Sequence, residues 1–167
     1  MKQSVEIGSP VSMVLLHREP YSYSRDEIRF AVERAWGISI NDEDQSSKSV
    51  IEGDGRVILL VGGHLISILS VANPYFGENA GERAKQLGNP VQQEAWSKHA
   101  AWTAVDYMQR GQDIELQYCV LAKLIAELLH ADCTGVYVPR ESSLIPNDAC
   151  LYDELQKIAA IRDAGIS

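Results

Sequence analysis

Arg56-Val57-Ile58-Leu59-Leu60-Val61 and His64-Leu65-Ile66-Ser67-Ile68-Leu69-Ser70-Val71 flank the pair Gly62-Gly63. Two apolar, β-branched runs joined by two glycines predict an antiparallel hairpin, because the tight turns that match strand twist need positive φ at their centre. The hairpin argues against an all-parallel nucleotide-binding fold, and so does the lack of a G-x-x-x-x-G-K-[ST] phosphate loop. The stretch from Val57 to Ala72 is also the most membrane-like in the chain. It falls short of the roughly 20 apolar residues that a span needs, and it carries glycines, serines and His64.

Upstream, Val11-Ser12-Met13-Val14-Leu15-Leu16 is a mostly apolar hexamer stopped by Pro20, which suits a central strand covered on both faces. Ser24 and Glu27 form a capping box, with Tyr23 and Ile28 placed as a hydrophobic staple, so a helix runs from Ser24 to Trp36 and ends at Gly37. Asn41 to Ser49 is polar and acidic and predicts an exposed, mobile loop. Downstream of the hairpin, Glu78 to Leu87 reads as a helical connector, and Asn89-Pro90 caps a short helix reaching about His99. Ala100 to Tyr107 has strand composition. Asp113 to His130 carries Ile114, Tyr118, Leu121, Ile125 and Leu128 on one helical stripe, Thr134 to Val138 is a short strand, and Ala149 to Asp163 is a last amphipathic helix.

The order is therefore βαββ, a helical connector, then βαβα. A helix joining two parallel strands of one sheet crosses right-handedly, which lets both main helices lie on the same face. This predicts an α+β protein, a ferredoxin-like split βαβ sandwich with an additional strand or a duplicated half, its helices mainly on one face of a mixed or antiparallel sheet. The 167 residues form a single domain in this reading, with residues 1–10 as an N-terminal tail and residues 41–49 as the mobile acidic loop. A chain of this length buries roughly 70% of its unfolded surface and needs no disulfide or metal to build a core.

Fifteen basic and 23 acidic residues leave a net charge of −8. Such a surface repels a phosphate backbone, so nucleic acid is excluded as a partner. From Asp113 onward there are 4 basic and 9 acidic residues, a surplus suited to steering a basic partner. Three cysteines, Cys119, Cys133 and Cys150, are an odd count that suits a reducing compartment. Met1 to Glu6 has one lysine and no apolar stretch behind it, so no secretory signal is expected and the cytoplasm is the predicted location.

The most distinctive stretch runs from Ala95 to Asp106, with two of the three tryptophans and one of the four histidines inside seven residues. On a strand beginning near Ala100, Trp102, Ala104 and Asp106 share one face. One reading is a cleft in which His99 is general base or hydrogen-bond donor and Asp106 its orienting or binding group. The other is an aromatic packing corner with a capping histidine, and the opposite parity of His99 and Asp106 favours it. The candidate binding residues are Trp96, His99, Trp102 and Asp106, together with Glu141 and Ser142 in the polar loop after the last strand. His130-Ala131-Asp132-Cys133 invites a Cys-His nucleophile. Its thiol follows a helix C-terminus beside Asp132, and both neighbours disfavour the thiolate. There is no C-x2-C, H-x3-H or H-E-x-x-H, so no metal and no cofactor are assigned, and a metal site could arise only through folding.

In Trp96, His99 and Ala100-Ala101 entering a strand, followed by an apolar helix and then Ala131 to Val138 with Gly135-Val136-Tyr137-Val138, the chain resembles a bacterial family of uncharacterised domains with ferredoxin-like architecture. The resemblance spans about Val11 to Asp148. It implies the fold and brings no activity, catalytic residue or cofactor. The expectation is a non-enzymatic binding or regulatory module acting on a protein partner or a small ligand. The alternatives are a small hydrolase or transferase using His99 with Asp106 or Cys133 with His130, and a structural homodimer joined through a sheet edge.

Overall fold

The computed structural model describes residues 10–40, 48–53, 55–109, 111 and 113–162. The elements are β1 (Val11–His17), α1 (Arg25–Trp36), β2 (Lys48–Gly53), β3 (Arg56–Val61), β4 (His64–Val71), α2 (Ala80–Lys85), α3 (Pro90–Ser97), β5 (Ala101–Tyr107), α4 (Ile114–Leu128), β6 (Cys133–Val138), β7 (Ser143–Pro146) and α5 (Leu151–Ala159), with short 3-10 turns at Gly77–Asn79 and Pro139–Glu141. The protein is α+β. Its strands make one open sheet in the order β2-β3-β4-β5-β1-β6-β7, with every neighbouring pair antiparallel. It follows that β5 and β6 run the same way with β1 between them, so β5-α4-β6 is a split βαβ unit.

The local signals explain most boundaries. Gly62 and Gly63 adopt φ of 54° and 82°, as a two-residue hairpin requires, and β3 and β4 begin and end at the residues expected. The Ser24 hydroxyl accepts from the Glu27 amide at 3.1 Å, and Gly37 closes α1 in the left-handed conformation. Asn89 caps α3 through the Gln92 amide at 2.9 Å, with Pro90 opening the helix. Asp113 does the same for α4 by accepting from the amides of Glu115 and Leu116.

Two strands depart from the expected order. Lys48 and Ser49, predicted as the end of a loop, belong to β2, which pairs with β3 over six residues and lengthens the hairpin into a three-stranded meander. A strand with only Val50 and Ile51 as apolar residues is held by the ladder that β3 offers it and not by its own propensity. The rest of the acidic loop, residues 41–47, lies outside the described residues, as do residues 1–9 of the N-terminal tail. Ser143, expected in a loop, opens β7, a four-residue strand on β6. The close approach of β7 depends on Gly135, where an added Cβ would meet the Ile145 carbonyl oxygen at 2.7 Å.

The two faces of the sheet are covered differently. Helices α1, α4 and α5 pack on one face over Met13, Leu15, Leu59, Ile66, Val105 and Val136, and α4 sinks Leu121, Leu124 and Ile125 into the same core without any exposure. Helices α2 and α3 lie on the other face, over a smaller cluster built from Val14, Leu16, Trp96, Ala104, Tyr137 and Leu144. The three longest helices do share one face as expected, and the short helices on the second are the addition. On β3 and β4 the aliphatic side chains of the second face, including Ile58, Leu60 and Leu69, stay half-exposed, while Val57, Leu59, Val61, Ile66 and Ile68 on the first face are buried. No helix among the described residues is long and apolar enough to cross a membrane.

Candidate functional site

The second face of the sheet holds most of the residues singled out in the sequence. Trp96 is buried, and its indole N–H donates to the Ala80 carbonyl at 2.9 Å, tying α3 to α2. The His99 ring follows α3 and uses both nitrogens. Nε2 accepts the Tyr75 amide at 3.0 Å, so the proton sits on Nδ1 and is donated to the Trp96 carbonyl. Burial holds this imidazole below its usual pKa and therefore neutral at pH 7. His99 thus fixes where Tyr75 enters the face. From there the Tyr75 ring meets Trp102 edge-on at 5.0 Å and lies 5.7 Å from Tyr137.

Asp106 projects from β5 on this same face, in a row with Ser12 of β1 and Ser67 of β4. The Ser12 hydroxyl donates to its carboxylate. Desolvation pushes the Asp106 carboxyl above the usual range, against the pull of the Ser12 hydrogen bond and the Arg56 charge. Beside it the Ser67 hydroxyl is buried without a hydrogen-bond partner among the described residues, and the Tyr137 hydroxyl across β1 is in the same condition. Buried orphan hydroxyls are uncommon, and this face holds two of them together with a half-buried carboxylate. Phe76, 41% exposed, stands at the mouth in the left-handed conformation with φ of 67°, and the Arg83 guanidinium lies over its ring at 4.5 Å.

No family model, curated protein or solved structure matches the chain. The face carries the Asp106 carboxylate beside the Ser12 and Ser67 hydroxyls, with the Tyr75 and Trp102 rings on the same side of the sheet. Carboxylate and aromatic faces together suit a cation.

His99 and Asp106 do not form the acid-base pair considered from the sequence. His99 is occupied by the Trp96 carbonyl and the Tyr75 amide, whereas Asp106 is held by Ser12. Trp96 is a packing residue, while Trp102 and Asp106 are the members of the set that line the face. Glu141 and Ser142 lie elsewhere. Glu141 borders an apolar cavity of about 400 Å³ on the first face with Met13, Tyr118 and Val138, and Ser142 is an exposed turn residue with φ of 48°.

His130 and Cys133 do come together, and a third residue joins them. His17, at the end of β1, is fully buried, with Nδ1 3.1 Å from His130 Nε2 and 3.8 Å from Cys133 Sγ. Burial pushes the Cys133 thiol up to about 11 and holds His17 down at about 4, so all three are neutral at pH 7. Such a thiol is a poor nucleophile, which weighs against the Cys-His reading. Sequence reasoning missed His17, Tyr75, Ser12 and Ser67. The serines carried one signal, their positions inside otherwise apolar strands.

Proposed function

We propose that the chain is a non-enzymatic binding module whose second sheet face takes a cationic side chain, Arg or Lys, of a basic protein partner at Asp106. The observation that carries this reading is the half-buried Asp106 carboxylate beside the orphan Ser67 hydroxyl and the Tyr75 and Trp102 rings. A guanidinium entering there would supply donors to the carboxylate and to the Ser67 hydroxyl while stacking on the aromatic rings. Arg83 over Phe76 is the chain's own case of a guanidinium held on an aromatic ring. The half-exposed apolar side chains of β3 and β4 continue the surface, and the net charge of −8 favours a basic partner.

The same proposal covers the architecture and the setting. The inner strand order β6-β1-β5-β4 supports a ferredoxin-like sandwich in which β2 and β3 are an insertion between α1 and β4. The resemblance to a bacterial domain family and three free cysteines support a bacterial, reducing cytoplasm.

The test is a titration of ¹⁵N-labelled protein with a hexa-arginine peptide, with hexa-glutamate as control. Arginine should shift the amides of residues 67, 75 and 102–106, with affinity falling as salt rises and at least tenfold in Asp106→Asn. No shift at these amides, or equal affinity in Asp106→Asn, overturns the reading.

A further inference from the structure

We propose that His17, His130 and Cys133 form a binding site for a thiophilic divalent cation, Zn²⁺ in the first place. The three donor atoms lie within 4.8 Å of one another. Tetrahedral Zn²⁺ with bonds of about 2.0–2.1 Å to nitrogen and 2.3 Å to sulfur sets its ligand atoms roughly 3.3 Å apart for two nitrogens and 3.6 Å for nitrogen and sulfur. The observed 3.1 Å and 3.8 Å sit close to both values. The site is independent of the Asp106 face, since His17 and Cys133 belong to the core of the opposite one.

Three features of the backbone build this convergence. His130 and Cys133 are the ends of an H-x2-C turn closed by the Cys133 amide on the His130 carbonyl at 3.1 Å, a spacing that aims two ligands at one point. The Arg18 amide donates to the Asp132 carbonyl at 2.9 Å and draws the end of β1 against that turn. The pairing of β1 with β6 then shifts register, from Leu16 opposite Gly135 to His17 opposite Cys133, so that Thr134 is skipped. Without this bulge His17 would stand against a threonine.

The hydrogen-bond pattern around the three also suits a cation. The Asp132 amide donates to His130 Nδ1 at 3.2 Å, which places the imidazole proton on Nε2, facing His17 Nδ1. The Cys133 thiol faces the same nitrogen. Two donors therefore compete for the one lone pair of His17, whose Nε2–H is already given to Thr103 Oγ1 at 2.8 Å. A cation relieves the competition. The thiol gives its proton to solvent and binds as thiolate, and His130 moves its proton from Nε2 to Nδ1, giving up the Asp132 contact. His17 keeps its bond to Thr103, the outer-shell partner that fixes a ligating imidazole, and Thr103 is held in turn by Ser70 at 2.9 Å. The fourth position is left to water, which reaches His130 through a cavity of about 220 Å³ lined also by Tyr21, Tyr23 and Glu27.

The experiment is an anaerobic Co²⁺ titration of the full chain carrying Cys150→Ser, which removes the exposed thiol, followed by Zn²⁺ displacement. One equivalent of Co²⁺ should give the thiolate-to-metal charge-transfer band and the intense visible bands of a tetrahedral site, and Zn²⁺ should abolish them. Adding Cys133→Ser should remove the charge-transfer band, and His130→Gln and Thr103→Val should weaken Zn²⁺ binding by about 10–100-fold or more. Absence of the charge-transfer band in the Cys150→Ser chain, or its survival in a folded Cys133→Ser variant, overturns the site.

Discussion

One sheet carries two faces made for different ends. On the first, α1, α4 and α5 cover buried side chains from five strands, and α4 alone buries nine residues. On the second, two short helices cover one end, Trp96 and Tyr137 pack among a few aliphatic residues, and the same face carries the Asp106 carboxylate and two buried hydroxyls without partners among the described residues. Burial of apolar surface explains the first face. It does not explain the second, where burial disfavours the charged form of Asp106. The binding role proposed for the second face would account for the difference.

If this division holds, substitutions should sort by face. Leu121→Ala, in the middle of α4 with no exposed surface, should cost about 2–5 kcal/mol in denaturant unfolding. For a chain of this size that is a fall in Tm of roughly 5–15 °C. Gly135→Ala forces a Cβ against the Ile145 carbonyl oxygen and should cost about 1–3 kcal/mol by lifting β7 from β6, seen as faster amide exchange at Val136 and Val138. Trp96→Phe loses the hydrogen bond to Ala80 and should cost about 1–2 kcal/mol, while leaving the first face unchanged in its exchange pattern.

Asp106→Asn has the smallest expected effect on stability and sharpens the comparison most. Because the folded-state pKa of Asp106 is raised above 3.8, the folded chain binds this proton more tightly than the unfolded one. Stability from this group is thus present at low pH and is lost as pH rises through the folded-state value. Melting should show the Asn variant equal to the parent at about pH 3 and equal to it or more stable at pH 7. A clear loss of stability at pH 7 would make Asp106 a structural residue and erase the contrast between the faces.

Much of the architecture was legible because its signals are local. A glycine pair fixes the hairpin, Ser24, Asn89 and Asp113 fix three helix starts, and a 15-residue apolar stripe gives α4. The strands β2 and β7 escaped because what makes them strands is an available neighbour, not their own composition. The parity of β5 correctly placed Trp102, Ala104 and Asp106 on one face. It could not show that the Tyr75 amide, delivered by a loop, would take up the His99 ring. The His17, His130 and Cys133 cluster joins positions 113 residues apart. Only two of its three residues had a trace in the chain, the H-x2-C spacing of His130 and Cys133, where a search for C-x2-C finds nothing.

The tryptophans are divided between the faces, and this gives the molecule a built-in optical readout. Trp36 ends α1 on the first face under the Lys123 ammonium, whereas Trp96 and Trp102 lie on the second around Tyr75. With Trp36→Phe, all tryptophan emission would come from the face that holds Asp106. Quenching by an arriving cation, or a colour change as α2 and α3 loosen, could then be followed without a dye and timed against the helix signal of the whole chain.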